Sequence, residues 1–186
     1  AEGYGTKRID LMYNDFVIVG PPSDPAAIKG TDPIQALNKI KKTGWYFISR
    51  GDNSGTHVKE MQLWEEAKLT PKGNWYDKWE GGNKGNAATL EYTNKHQAYT
   101  IIDRATYLIL KKDINLNILV EKYNSLLNFI TVIPINPQKF PHTKYNYAMD
   151  FINYLISEEG QAIISKFGID KYGEPLFFPN VATNKK

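Results

Sequence analysis

A chain of 186 residues with 41% hydrophobic, 13% aromatic and 23% charged side chains has length for one core-bearing domain or a domain with part of a second, and it is too apolar to stay disordered. Its net charge of +3 comes from scattered lysines, which excludes the basic stripe of a nucleic-acid reader; the densest group, Lys39, Lys41 and Lys42, reads as a solvated helix end that suits the helix dipole. There is no cysteine, hence no disulfide and no thiolate metal site, and no apolar run approaches the roughly 20 residues of a membrane helix.

In chain order, Phe16 to Val19 reads as a strand inside "MYNDFVIVGPP". Asp32 followed by Pro33 forms an N-cap and first-turn pair for a helix with the stripe Ile34, Leu37 and Ile40, ending near Gly44. Trp45 to Ile48 is a second strand. From Thr56, the residues Val58, Met61, Leu63 and Trp64 recur at helical spacing until Leu69, where Pro71 and Gly73 stop the pattern. Residues 72–86, "KGNWYDKWEGGNKGN", read as one long loop whose Trp75, Tyr76 and Trp79 fold down onto the domain rather than forming a lid. A helix is predicted from Ala87 towards His96, a strand over Tyr99 to Ile102, a helix over Ala105 to Lys111 and a strand over Phe129 to Ile135. This alternation predicts an α/β fold with a mostly parallel sheet.

"MYNDFVIVGPP" and "FITVIPINP" bracket the α/β pattern as candidate crossing strands between two lobes. After Pro137 there is no strand signal, only helices over Tyr145 to Phe167 whose apolar faces carry Tyr147, Phe151, Tyr154, Leu155, Ile163, Ile164 and Phe167. Those faces need a sheet to cover. The expected division is therefore 1–19, the end of lobe one and a crossing strand; 20–131, an α/β lobe two; and 132–186, the return strand and the C-terminal helices of a lobe one whose sheet is largely absent from the chain.

The chemistry concentrates at helix starts, which expose about four unpaired N–H groups and a partial positive charge. "SRGDNSGT" supplies Gly51 and Gly55 for close backbone approach, Ser49, Ser54 and Thr56 for neutral donors, and Arg50 for charge. "GNAATLEY" repeats the design with Gly85, Asn86 and Thr89, and two such starts at one sheet edge suit a single anion. Two rival readings stay open at this point. Ser54 in "GDNSG" is a candidate nucleophile with His57 as its base, and Arg50-Gly51-Asp52 is a candidate adhesion loop. His57, His96 and His142 are isolated and lack the paired spacing of a metal site.

"MYNDFVIVGPPSDPA", "SRGDNSGTH", "ATL", "AYTIIDRATYL" and "YGEPLFFP", in this order over nearly the whole chain, resemble the substrate-binding proteins of tungstate ABC importers. The resemblance implies a type II periplasmic-binding-protein-like α/β fold, here one complete lobe plus the C-terminal helical part of the other. It implies extracytoplasmic binding of a tetrahedral oxyanion, tungstate or molybdate, in the periplasm or at the cell surface, for delivery to an ABC importer permease, with no catalytic residue, cofactor or metal ligand. Arg50 and Thr56 carry over as oxyanion contacts, with Ser49, Ser54, Gly55, Ala88 and Thr89 as the accompanying small and hydroxyl positions; Asp103 is expected to orient a loop beside the site. "GNAATL" departs from the family in carrying alanine where glycine is usual, which sets the second helix start farther from the ligand. The family's first-lobe segment is also expected to be missing, so that the C-terminal helices require it, or another chain, as cover, and the chain alone binds its oxyanion feebly.

Overall fold

The strand expected at Phe16 is the middle of a longer one, β1 (Ile9–Gly20), in the computed structural model, which describes residues 2–181. Helix α1 (Pro33–Thr43) follows, with Asp32 accepting the Gln35 amide at 2.9 Å and Gly44 in the left-handed conformation closing its C-terminus. Then come β2 (Phe47–Ser49), α2 (Gly55–Glu66), β3 (Tyr76–Lys78), α3 (Asn86–His96), β4 (Thr100–Asp103), α4 (Arg104–Leu110), β5 (Asn117–Val120), β6 (Leu127–Val132), α5 (Tyr145–Ile156), α6 (Glu158–Lys166), α7 (Ile169–Tyr172) and β7 (Phe178–Pro179). Single 3₁₀ turns precede α3 and β6. No helix among the described residues is long and apolar enough to cross a membrane.

The chain divides into two compact units, Asp15–Leu127 and Ala1–Asn14 with Asn128–Lys186. In the first, β1 pairs antiparallel with β4, with Phe16 opposite Asp103 and Val19 opposite Thr100, and antiparallel with β5 on its other edge. A parallel bridge from Phe47 to Tyr99 attaches β2, and β3 lies parallel beside β2. The order is thus β3-β2-β4-β1-β5, with four strands running one way and β1 inverted. The mostly parallel sheet is present, but its middle carries an antiparallel strand, because β1 returns no crossover helix to its neighbours.

This sheet packs on α1 and α2 through Phe16, Ile18, Leu37, Ile40, Phe47, Leu63 and Trp64, all fully buried or nearly so. The supposed long loop contains β3, whose Tyr76 stacks on Phe47 at 5.9 Å, while Trp75 meets Trp64 edge-on at 5.7 Å and Trp79 stacks on Tyr92 at 4.6 Å. Tyr76 and Trp75 therefore extend the core, as the sequence suggested, and Trp79 packs on α3 through Tyr92.

In the second unit β7 pairs antiparallel with β1 at Met12 and Tyr13, and β6 also pairs with β1. A strand after Pro137 was not expected; β7 is two residues long and has no alternation to read. Helices α5 and α6 are separated at Ser157, whose extended backbone ends the first and whose hydroxyl caps the second by accepting the Gly160 amide at 3.2 Å. Tyr147 (70% exposed), Phe151 (63%) and Phe167 (55%) lie uncovered on these helices.

Candidate anion-binding site

Strands β2 and β4 each run straight into a helix, so that α2 and α4 begin at the same edge of the sheet, and α3 packs on α4, β4 and β2. Ser54 caps α2, its hydroxyl accepting the His57 amide at 3.4 Å. The amides of Gly55 and Thr56 have no acceptor within the helix. At α3 the cap is Gly85 (φ +103°), a conformation that only glycine adopts without strain, and the amides of Asn86, Ala87 and Ala88 are free in the same sense.

Arg50 leaves the end of β2 between these helix starts with its side chain only 11% exposed. Its Nη2 donates to Asp52 at 2.5 Å and its Nη1 donates to the Asn86 carboxamide oxygen. That oxygen also accepts the Thr56 hydroxyl at 3.0 Å. Two donors from different elements thus converge on one acceptor. The Arg50 Nε is buried and has no hydrogen-bond partner among the described residues. A buried N–H without an acceptor is costly in a finished interior and natural in a receptor whose ligand supplies the acceptor.

Asn86, which the sequence reading placed in the second helix start but did not count among the anion contacts, is the hub of this group. Its carboxamide nitrogen donates to Asp103 at 2.6 Å, which fixes the amide's orientation. Asp103 in turn caps α4 by accepting the Thr106 amide and hydroxyl at 2.8 and 2.6 Å. It therefore caps the neighbouring helix, where the sequence reading expected it to orient a loop, and reaches the Arg50 group through Asn86. An asparagine directly after a glycine at a helix start was the available signal; its partners come from residues 30 and 36 positions upstream and were not readable.

The other expected positions separate. Ser49 is fully buried and its proton goes to Glu60 at 2.7 Å, so it offers no hydroxyl to a ligand; Thr89 is fully buried and donates to the Gly85 carbonyl at 3.0 Å. Both hydroxyls are structural. Ser54 is committed as the α2 cap, Gly55 is exposed with open space at the site of a Cβ, and Ala88 is half-buried and offers only its amide.

Electrostatically the group is a charged donor held by a carboxylate. Burial pushes the Asp52 carboxyl upward, but the Ser54 hydrogen bonds and Arg50 outweigh it and hold it below its ordinary value, so it stays ionised. Burial lowers His57, with Lys78 and Arg50 adding to the effect and Asp52 opposing it. Its Nδ1 accepts the Asn53 amide at 3.0 Å, which places the ring proton on Nε2, an atom that is buried without a partner among the described residues. This ring is engaged by the backbone and is not aimed at Ser54 as a base, which removes the nucleophile reading. The Arg50 guanidinium, pinned on two sides, does not protrude as an adhesion loop would. No cluster of metal-ligating side chains occurs among the described residues.

Gly82, in the 3₁₀ turn before α3, lies against the Arg50 backbone: a Cβ there would stand 1.8 Å from the Arg50 carbonyl oxygen and 2.6 Å from its carbon. Gly82→Ala is expected to displace the Arg50 peptide, to destabilise the protein by about 1–3 kcal/mol and to weaken ligand binding with it. Urea denaturation followed by Trp fluorescence, beside a binding titration, checks both parts.

A buried guanidinium and free amides converging from helix starts on an α/β unit are features suited to receiving an anion. The sequence profile described as a PBP superfamily domain matches residues 1–159. The tungstate-binding protein TupA of Peptoclostridium acidaminophilum is 45% identical over 98% of this chain, which spans 64% of that relative's length. TupA of Campylobacter jejuni is 33% identical over 99% of the chain and 68% of its own length. The solved structure of tungstate-binding TupA from Desulfovibrio alaskensis G20 superposes with a TM-score of 0.83 at 39% identity, over 96% of this chain and 72% of that one. The chain belongs to the PBP superfamily, within the family that these TupA proteins represent.

Proposed function

We propose that the protein binds a tetrahedral oxyanion, tungstate or molybdate, outside the cytoplasm and delivers it to the permease of an ABC importer, performing no reaction on it. The observation that carries this reading is the convergence of the Arg50 and Thr56 donors on the single oxygen of Asn86, with the Arg50 Nε buried and still without an acceptor. An oxyanion supplies several acceptors at once. The names of the relatives, tungstate-binding proteins in two bacteria, support the same chemistry.

Hydrogen bonds to a charged group contribute roughly 1.5–3 kcal/mol each, and the amides of Gly55, Thr56 and the first turn of α3 add dipoles that hold charge without any proton transfer. Within this reading Arg50 contacts the anion, Thr56 meets it with its amide while its hydroxyl is held by Asn86, Gly55 and Ala88 offer amides, and Ser54, Ser49 and Thr89 shape the turns that present them. Discrimination against sulfate follows from its smaller size. Calorimetric titration with sodium tungstate, repeated in the presence of molybdate, sulfate or phosphate, tests the proposal: tungstate heat should be abolished by molybdate and little affected by equimolar sulfate. Absence of tungstate heat even at millimolar anion, or equal displacement by all three competitors, contradicts it.

A further inference from the structure

The deepest charged side chain of the unit carrying the site is one that the anion reading does not use. Glu60, on α2 one turn beyond Thr56, is 3% exposed and accepts three hydrogen bonds: Ser49 Oγ to Oε2 at 2.7 Å, and Tyr76 Oη and Trp64 Nε1 to Oε1 at 2.7 and 3.1 Å. These donors come from β2, β3 and α2. A carboxylate taken out of water costs several kcal/mol unless its lone pairs are filled, and leucine or methionine would suit this core. The arrangement is explained by what Ser49 does next. The same hydroxyl that donates to Glu60 accepts the Gly51 amide at 3.2 Å, so the turn Ser49-Arg50-Gly51 is closed around the residue that carries the guanidinium. Gly51 holds φ +62°, and a Cβ there would stand 3.3 Å from Lys78 Cβ, which leaves little room for another path.

We propose that Glu60 is the positioning residue of this site: by fixing the Ser49 hydroxyl it fixes the Gly51 amide, and so sets where Arg50 aims. The inference rests on the anion-binding reading above. It makes no contact with the ligand and acts through Ser49 alone. Because an ionised carboxyl accepts from all three neighbours, whereas a protonated one must donate to one of them, the Ser49 bond reverses when Glu60 takes up a proton. Burial raises this carboxyl to about 7, against the hydrogen bonds of Ser49, Tyr76 and Trp64 and the charge of Lys78 on β3. The reversal therefore falls in an accessible range of pH.

The test is heteronuclear NMR on the chain as it stands, reading the Arg50 Nε–H and Gly51 amide resonances during titration with sodium tungstate. Ser49→Ala and Glu60→Ala are each expected to raise the dissociation constant about tenfold, the equivalent of about 1.4 kcal/mol, and the double variant no further, since both substitutions break one path. Glu60→Gln keeps the shape, but its single oxygen faces the donors Trp64 and Tyr76 and its amino group faces Ser49, as in the protonated carboxyl, so it is expected to recover only part of the affinity. Without tungstate, the Gly51 amide of the unsubstituted chain should shift in a step centred near 7 that Glu60→Gln removes. His57, lowered by burial, titrates below that step and persists in the variant. Unchanged affinity in Ser49→Ala and Glu60→Ala overturns the Glu60 proposal alone. If neither alanine variant folds, Glu60→Gln decides, and a tungstate affinity equal to that of the unsubstituted chain overturns the proposal. Tungstate that moves no resonance at Arg50 overturns the anion reading and this inference together.

Discussion

Arg50→Gln is expected to weaken tungstate binding about a hundredfold, close to 3 kcal/mol, while leaving the fold intact. The guanidinium donates to Asp52 and Asn86 and leaves Nε buried without a partner among the described residues, the donor that the proposed function assigns to the anion. Glutamine removes the charge and the planar fork, and it leaves Asp52 as an unneutralised carboxylate beside the incoming dianion. Both losses act in the same direction. Lysine at this position is expected to recover only part of the affinity, because a point charge cannot hold Asp52 and Asn86 and still aim a third donor. Titration calorimetry gives the affinity and thermal unfolding by circular dichroism reports the fold. A glutamine variant that binds as tightly as the unsubstituted protein removes Arg50 from the site.

Arg104→Met is expected to destabilise the protein by about 3–5 kcal/mol, the largest stability loss foreseen for any single exchange here. Arg104 is buried at the start of α4, with Nε and Nη2 donating to the two oxygens of Asp15 at 2.8 and 2.6 Å and Nη1 reaching Glu121 at 2.8 Å. The hydrogen bonds it donates to Asp15 raise its affinity for the proton still further, so it is charged at every working pH. Methionine fills the space but strands Asp15, which is 12% exposed in its side chain. The double variant Arg104→Met, Asp15→Leu is expected to regain most of the loss, because the cost lies in the unpaired charge and not in the missing volume. Urea unfolding of the two variants separates these contributions. The pair also matters to the site, since Arg104 adjoins Asp103, the residue that holds Asn86.

The Arg50 turn was legible because its signals are local. Gly51 follows a short strand and Gly55 follows an N-cap serine, and the helix start that they announce depends on contacts within four residues. The same holds for the Asp32-Pro33 start of α1 and for the apolar stripe of that helix. Strand β3 was not legible. Its three residues sit among glycines and lysines, and only Phe47 and Ile48 on a neighbouring strand give Tyr76 and Asp77 their partners. Strands β5 and β7 fail for the same reason, being four and two residues long and defined by pairing with β1. The inversion of β1 within an otherwise parallel sheet was also out of reach, since direction is a property of pairs of strands.

Hydroxyls show the division most clearly. Serine and threonine at a helix start announce hydrogen bonding, but not with whom: Thr56 turns to Asn86, Ser49 to Glu60 and Thr89 to its own first turn. By itself the sequence determined that a helix starts behind a glycine- and serine-rich turn at residues 49–56, that an arginine lies in that turn, and to which family the chain belongs, all of which follow from short stretches of residues close together in the chain. Only the tertiary structure decided that Asn86 gathers the donors, that Glu60 lies beneath the turn and that two of the expected hydroxyls are spent. Each of those facts depends on a hydrogen bond to a residue that packing alone brings within reach, and a proton can be given to one acceptor at a time.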